Sequence, residues 1–200
     1  NHYFKLKAAQ GQVQAIALTT PLDEEVLVNL KVGNIVKISG TIYTGRDVAH
    51  KLMTEALTKG EKLPMDLNGQ IIYYAGPSPA KEGAVIGSCG PTTAYRMDPY
   101  TPQLLDAGLK VMIGKGPRSP YVVEAIKKHK AVYLAAVGGA AAIISKSVKA
   151  AEIIAYKEWG PEAIYKLEVE DFICFVSVDS NGAELYEVGR EKYRVELKPE

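Results

Sequence analysis

Two hundred residues, 47% of them apolar and 24% charged with a formal net charge of +1, suit one globular unit with a full core. No uncharged run reaches membrane-spanning length, and so balanced a charge favours neither nucleic acid nor an anionic membrane surface. The 2 cysteines, Cys89 and Cys174, lie far apart, and with only 3 histidines they spell out neither a disulfide framework nor a self-contained metal or iron–sulfur site.

The first third, to about residue 68, reads as mainly β. Val13–Leu18 suits a strand, and Ile35–Tyr43 alternates apolar and polar residues before turning apolar. Thr44 with Asp47 three residues on has the pattern of a capping box, and Val48, Ala49, Leu52, Met53, Ala56 and Leu57 supply the helical stripe that Gly60 ends. A β/α rhythm then runs over about 69–187. Ile71–Gly76 and Ala84–Gly87 are predicted strands, the second feeding Ser88-Cys89-Gly90-Pro91. Thr101-Pro102 opens a helix closed by Gly108, and Leu109–Ile113 is a strand ending in Gly114-Lys115-Gly116. Ser119-Pro120 starts the next helix, whose end carries Lys127-Lys128-His129-Lys130, cations that complement the helix dipole. Ala131–Val137 is a strand running into Gly138-Gly139, followed by an Ala-rich helix through Ile143, Ile144, Val148, Ala151 and Ile154. Phe172–Val178 is the last strand, and Ser180-Asn181-Gly182 signals a hairpin turn before a tail over 188–200. The whole is an α/β chain with glycine-rich loops after its strands. Ligands of such sheets gather beyond the strands' carboxyl ends, so the loops Cys89–Arg96, Gly114–Ser119 and Gly138–Ala141 are expected to share a site.

Three groups in those loops carry chemistry. In Gly90-Pro91-Thr92-Thr93-Ala94-Tyr95-Arg96, proline at a first helical position would put Thr92 and Thr93 in a first turn whose free N–H groups favour an anion. The same residues also suit a helix whose threonines merely satisfy backbone donors, and local sequence weighs the two evenly. Arg46 falls in the first turn after Thr44, where the dipole disfavours a cation. A bound anion would explain it, as would a solvated pair with Asp47. His50, one turn on, reads as a half-buried structural histidine that could orient either neighbour. Lys115 between Gly114 and Gly116 can approach a ligand closely, although no phosphate-loop order surrounds it. Cys89, before Gly90, is an alternative nucleophile, but no histidine is placed to serve it, and an inert packed thiol is the preferred reading.

Gly45-Arg46-Asp47-Val48-Ala49-His50, Gly90-Pro91-Thr92-Thr93 with Arg96-Met97-Asp98, and Gly114-Lys115-Gly116 follow one another in an order that resembles the β subunit of iron–sulfur-dependent class I fumarases and L-tartrate dehydratases. In single-chain members the same region forms the C-terminal domain. The resemblance covers roughly Leu18 to Glu187; Tyr95 departs from it, standing where a small residue would precede the arginine. It implies a swivelling β/β/α domain and a cytoplasmic hetero-oligomer. It further implies a [4Fe–4S] cluster held by a partner α subunit and not by this chain, with a small dicarboxylate, fumarate or malate, as substrate. By the same resemblance Thr92 is the general base and Arg46, Thr93, Arg96 and Lys115 bind substrate. Asp47, His50, Gly90, Gly114 and Gly116 support them, and no residue ligates metal. L-tartrate dehydration and a stand-alone anion- or nucleotide-binding domain are the competing expectations, with a purely structural subunit as a third.

Overall fold

Strand β2 (Ile35–Thr44) organises the sheet because both of its edges are used. On one side run β1 (Ile16–Thr19) and β3 (Ile71–Tyr73), then β4 (Val111–Gly114) and β5 (Val132–Ala136), with every neighbouring pair parallel. The long strand β7 (Ile164–Val178) is antiparallel to both β2 and β5, pairing Ile35 with Phe175 and Ala136 with Cys174. That double pairing closes β2, β3, β4, β5 and β7 into a barrel-like ring, while among the described residues β6 (Val148–Ala155) pairs only with β7. The computed structural model describes residues 14–136 and 141–189.

The two-residue strand period sorts the core. Ile71 and Tyr73 of β3, Val111 and Ile113 of β4 and Val132 and Leu134 of β5 join Ile38, Ile42, Phe172 and Val176 in one buried cluster inside the ring. The alternate residues Ile72, Met112 and Tyr133 point outward and are covered by helices. With both faces buried, these strands read as continuous apolar runs. The outer layer contains α2 (Asp47–Thr58), α3 (Thr101–Asp106) and α4 (Pro120–His129), which contribute Met53, Leu104, Leu105, Val122 and Ile126. Burying each such side chain is worth about 1.5–3 kcal/mol before conformational entropy is counted. The short helices α1 (Glu24–Asn29) and α5 (Ala141–Ser147) lie outside that layer's main contacts. Ser119 is the N-cap of α4, with proline in the first turn and Lys127, Lys128 and His129 in the last, as the sequence predicts.

Five local expectations are corrected. Thr44 does not cap α2: it is the buried last residue of β2, its hydroxyl accepts the Tyr165 N–H at 3.1 Å, and the cap position falls on Arg46. Pro91 does not open a helix, because the Thr92 N–H is already given to the Tyr74 carbonyl at 2.6 Å. The helical segment there is a short 3-10 turn, Ala94–Met97, with Thr93 as its cap residue. Ala84–Gly87 is no strand; it lies in a loop pinned by mutual bonds between Ser78 and Ser88. The Ala-rich helix stops at Ser147, and Val148–Ala155 becomes strand β6, since the edge of β7 offers a ladder that outweighs alanine's helix propensity. The turn at Ser180–Gly182 forms, with the Gly182 N–H donating to the Asp179 carbonyl at 2.9 Å, but it leads to a single bridge, Val178 to Glu184, rather than a hairpin.

Candidate functional site

Parallel strands with the same polarity deliver their outgoing loops to one edge of the ring, and the predicted residues meet there. The Gly45 N–H, just past β2, donates to the Tyr73 carbonyl at the end of β3, and the Tyr74 N–H donates to the Ile113 carbonyl of β4. Thr92 locks into the same seam: besides its bond to Tyr74, its carbonyl accepts the Lys115 N–H at 3.2 Å. Ala94 donates back to the Lys115 carbonyl at 2.8 Å, so Thr93 and Lys115 face each other as a parallel bridge. This close approach needs glycine at position 114, where a Cβ would lie 2.8 Å from the Tyr74 ring and 3.2 Å from the Ala94 Cβ. The loops Cys89–Arg96 and Gly114–Ser119 are therefore one unit. Gly90 faces Ala141, the first residue of α5, whereas Gly138, Gly139 and Ala140 of the third loop lie outside the described residues.

The cations differ in how they are held. Lys115 is exposed, and its ammonium has no partner among the described residues; the same holds for the half-buried hydroxyls of Thr92 and Thr93. Arg96 makes a two-pronged pair with Asp47, Nε to Oδ1 at 3.2 Å and Nη2 to Oδ2 at 2.8 Å. This fork ties the 3-10 turn to the first residue of α2, beside Arg46. The Arg46 Nε lies 3.4 Å from Glu162 Oε1. Both arginines thus sit on carboxylates, Arg96 through two hydrogen bonds and Arg46 through an ion pair. Lys115 contributes the charge that no carboxylate of this cluster offsets.

His50 is fully buried, with Nδ1 2.8 Å from the Arg46 carbonyl. A carbonyl only accepts, so Nδ1 carries the proton and the ring is neutral with Nε2 bare, consistent with the absence of any partner for Nε2. Burial lowers its pKa to about 4, against the opposing pull of that hydrogen bond. It is a strut beneath Arg46, not a proton carrier near neutral pH. Cys89 is also fully buried, and desolvation pushes its thiol up to about 12, which removes it as a nucleophile. Cys174 lies in the core with its thiol likewise raised by burial.

Two features escaped the sequence reading. Arg118, in the Lys115 loop, is buried against Asp98: Nε to Oδ1 is 2.7 Å, Nη2 reaches the Thr101 hydroxyl at 2.8 Å and Nη1 the Tyr74 hydroxyl at 3.2 Å. The Ser119 N–H donates to the other Asp98 oxygen at 2.8 Å. This network bolts the two loops together from below. An arginine directly before the Ser-Pro start of a helix was a visible signal, but nothing local paired it with Asp98. The second is Glu162, whose partners lie 114 residues and more away in sequence, beyond any local pattern. A groove of about 350 Å³ lined by Leu52, Glu55, Lys62 and Tyr156 contains none of these residues. Among the described residues no helix is long and apolar enough to cross a membrane.

The family described as Fumarase C-terminus matches residues 1–189. An aerobic class I fumarate hydratase of Escherichia coli is 42% identical over 186 residues, covering 90% of this chain and 34% of the relative. Fumarate hydratase 2 of Leishmania major is 42% identical over 175 residues, 86% of this chain and 31% of that protein. A putative L(+)-tartrate dehydratase subunit beta of Methanocaldococcus jannaschii is 41% identical over 169 residues, 82% of this chain and 87% of the subunit. The chain spans about a third of the length of the fumarate hydratases it matches and most of that of the β subunit.

Proposed function

Because the chain belongs to the fumarase C-terminal family, we propose that it is the β subunit of a two-subunit hydro-lyase interconverting fumarate and (S)-malate, built as a single swivelling β/β/α domain. The observation that carries this reading is the cluster at the strand ends. Two hydroxyls and an ammonium without internal partners, Thr92, Thr93 and Lys115, stand beside two arginine forks held in place by Asp47 and Glu162. A small dianion matches that set in hydrogen-bond donors, with Lys115 supplying the uncompensated positive charge. Arg46, Arg96, Lys115 and Thr93 bind its carboxylates. Gly90, Gly114 and Gly116 let the backbone come close, and His50 and Asp47 hold the arginines.

In the malate-to-fumarate direction the Thr92 Oγ takes the proton from C3, the C–H electron pair becomes the new double bond, and hydroxide leaves C2. A threonine hydroxyl serves as base only where its alkoxide is stabilised, and the ammonium of Lys115, whose backbone is bridged to that of Thr93, supplies that field. The family implies an iron–sulfur cluster. The residues here do not fit one: both cysteines are buried with raised thiol pKa, and among the described residues no group of three His, Cys, Asp or Glu is placed to hold a metal. We therefore assign the cluster, and the departure of hydroxide, to an α subunit that joins this chain in a cytoplasmic hetero-oligomer.

Thr92→Ala in the enzyme reconstituted with its α subunit should lower kcat by about 100-fold or more while KM stays within about threefold, the signature of an interaction made in the transition state. Turnover near that of the unaltered enzyme would overturn the base assignment. A second reading, L-tartrate dehydration, is favoured by the β-subunit relative covered over most of its length. A higher kcat/KM for L-tartrate than for malate would select it.

A further inference from the structure

The turn between β6 and β7 reaches back over the site. It forms a 3-10 segment, Lys157–Glu162, that brings the Glu162 carboxylate to the start of α2. There Oε2 accepts the Val48 N–H at 3.1 Å, and Oε1 lies 3.4 Å from the Arg46 Nε. The natural acceptor at this position would be a side chain at the cap, but Arg46 has none to offer, so a residue 114 positions beyond Val48 does the capping. Gly76 closes the other side of the arginine. A Cβ there would stand 2.5 Å from Arg46 Nη1, 2.6 Å from its Cδ and 2.9 Å from the Pro161 carbonyl. Arg46 therefore lies in a slot between Gly76 and the Pro161–Glu162 turn, with its Nε buried and without a hydrogen-bond partner among the described residues, so that Glu162 meets it as an ion pair.

A guanidinium presents more than one two-pronged edge to carboxylates, and a side chain with Arg46's freedom would ordinarily choose among them. With the Nε side turned to Glu162 and the glycine wall preventing a swing, the paired Nη groups are left for an incoming carboxylate. Glu162 also fills the anion position at the α2 N-terminus, where substrate could otherwise bind unproductively. We propose that Glu162 is a positioning residue for substrate binding: it sets the orientation of the Arg46 fork without touching substrate. This inference rests on the reading of Arg46 as part of a dicarboxylate clamp.

The test is a cycle of variants in the complete enzyme with its α subunit, reading kcat, KM for malate and Tm. Glu162→Gln keeps an oxygen to accept the Val48 N–H but loses the charge that orients Arg46. KM should rise about fivefold or more, with kcat within about threefold and Tm little changed. Glu162→Asp, which keeps the charge one methylene short, should fall between Gln and the unaltered enzyme. Adding Glu162→Gln to Arg46→Ala should cost nothing further in KM, because the group it orients is gone. An unaltered KM in Glu162→Gln, losses that simply add in the double variant, or a Glu162→Gln chain that no longer folds would each overturn the proposal. If Arg46→Ala weakens binding while Glu162→Gln does not, only the role of Glu162 falls. If Arg46→Ala has no effect either, the clamp reading falls with it.

Discussion

Asp98→Asn strikes the buried pair beneath the site. The Arg118 side chain has 0% exposure and that of Asp98 2%. Burial disfavours the Arg118 charge, but Tyr74 and Asp98 outweigh it and hold its pKa above the ordinary arginine value. The carboxylate divides its oxygens between Arg118 Nε at 2.7 Å and the Ser119 N–H at 2.8 Å. An asparagine keeps the shape but sets an NH2 group against one of those donors, and it leaves the guanidinium buried without a counter-charge. Removing one partner of a buried pair costs about 3–5 kcal/mol. For a chain of this size each kcal/mol lowers Tm by about 2–4 °C, so a fall of roughly 10 °C is expected. Because Asp98 and Arg118 flank the Thr93–Lys115 bridge, exchange of the Ala94 amide, which donates to Lys115, should speed up as well. Urea unfolding followed by far-UV circular dichroism measures the loss. A change below about 1 kcal/mol, the range of a solvated pair, would refute the reasoning. Replacing both partners with Asp98→Leu and Arg118→Met should restore only part of the stability, since the Tyr74 hydroxyl and the Ser119 N–H would still have lost their partners.

The pKa of His50 makes stability depend on pH. Burial holds its folded pKa at about 4 against 6.5 when exposed, so the unfolded chain takes up the proton first as pH falls. Its contribution is fully present above about pH 6.5 and is lost between there and about 4, amounting to about 3 kcal/mol at roughly 1.4 kcal/mol per unit. An NMR titration of the ring in the folded chain should have its midpoint near 4, and a midpoint at 6 or above would contradict its burial. Gly114→Ala should cost about 1–3 kcal/mol in urea unfolding, because Tyr74 is fully buried and has nowhere to move from a Cβ 2.8 Å from its ring. A loss under about 0.5 kcal/mol would mean that the end of β4 has slack.

Much was legible in the sequence because it is encoded locally. Ile71–Tyr73, Val111–Gly114 and Val132–Ala136 declare themselves as short apolar runs ended by glycine or a turn, and Ser119-Pro120 announces a helix start. The candidate site was legible for the same reason: Thr92, Thr93, Arg96 and Lys115 sit in strand-end loops, and parallel strands bring such loops together. The failures were local signals outvoted by distant partners. Thr44 carries a capping pattern, but β2 pairing with β7 claims its hydroxyl for Tyr165. Val148–Ala155 has a helix-forming composition, yet β7 provides a strand to pair with.

What the sequence determined by itself, then, is which segments are strands or helices by their period and which loops bear chemistry. The order of the ring, its closure by β7, and the pairing of each cation were decided by tertiary structure alone. Asp47 is near in space to Arg96 and Glu162 to Val48 only once the barrel has closed, 49 and 114 residues of separation notwithstanding. Local periodicity carries no information about such contacts, because their free energy belongs to the packed ring and not to any segment of it.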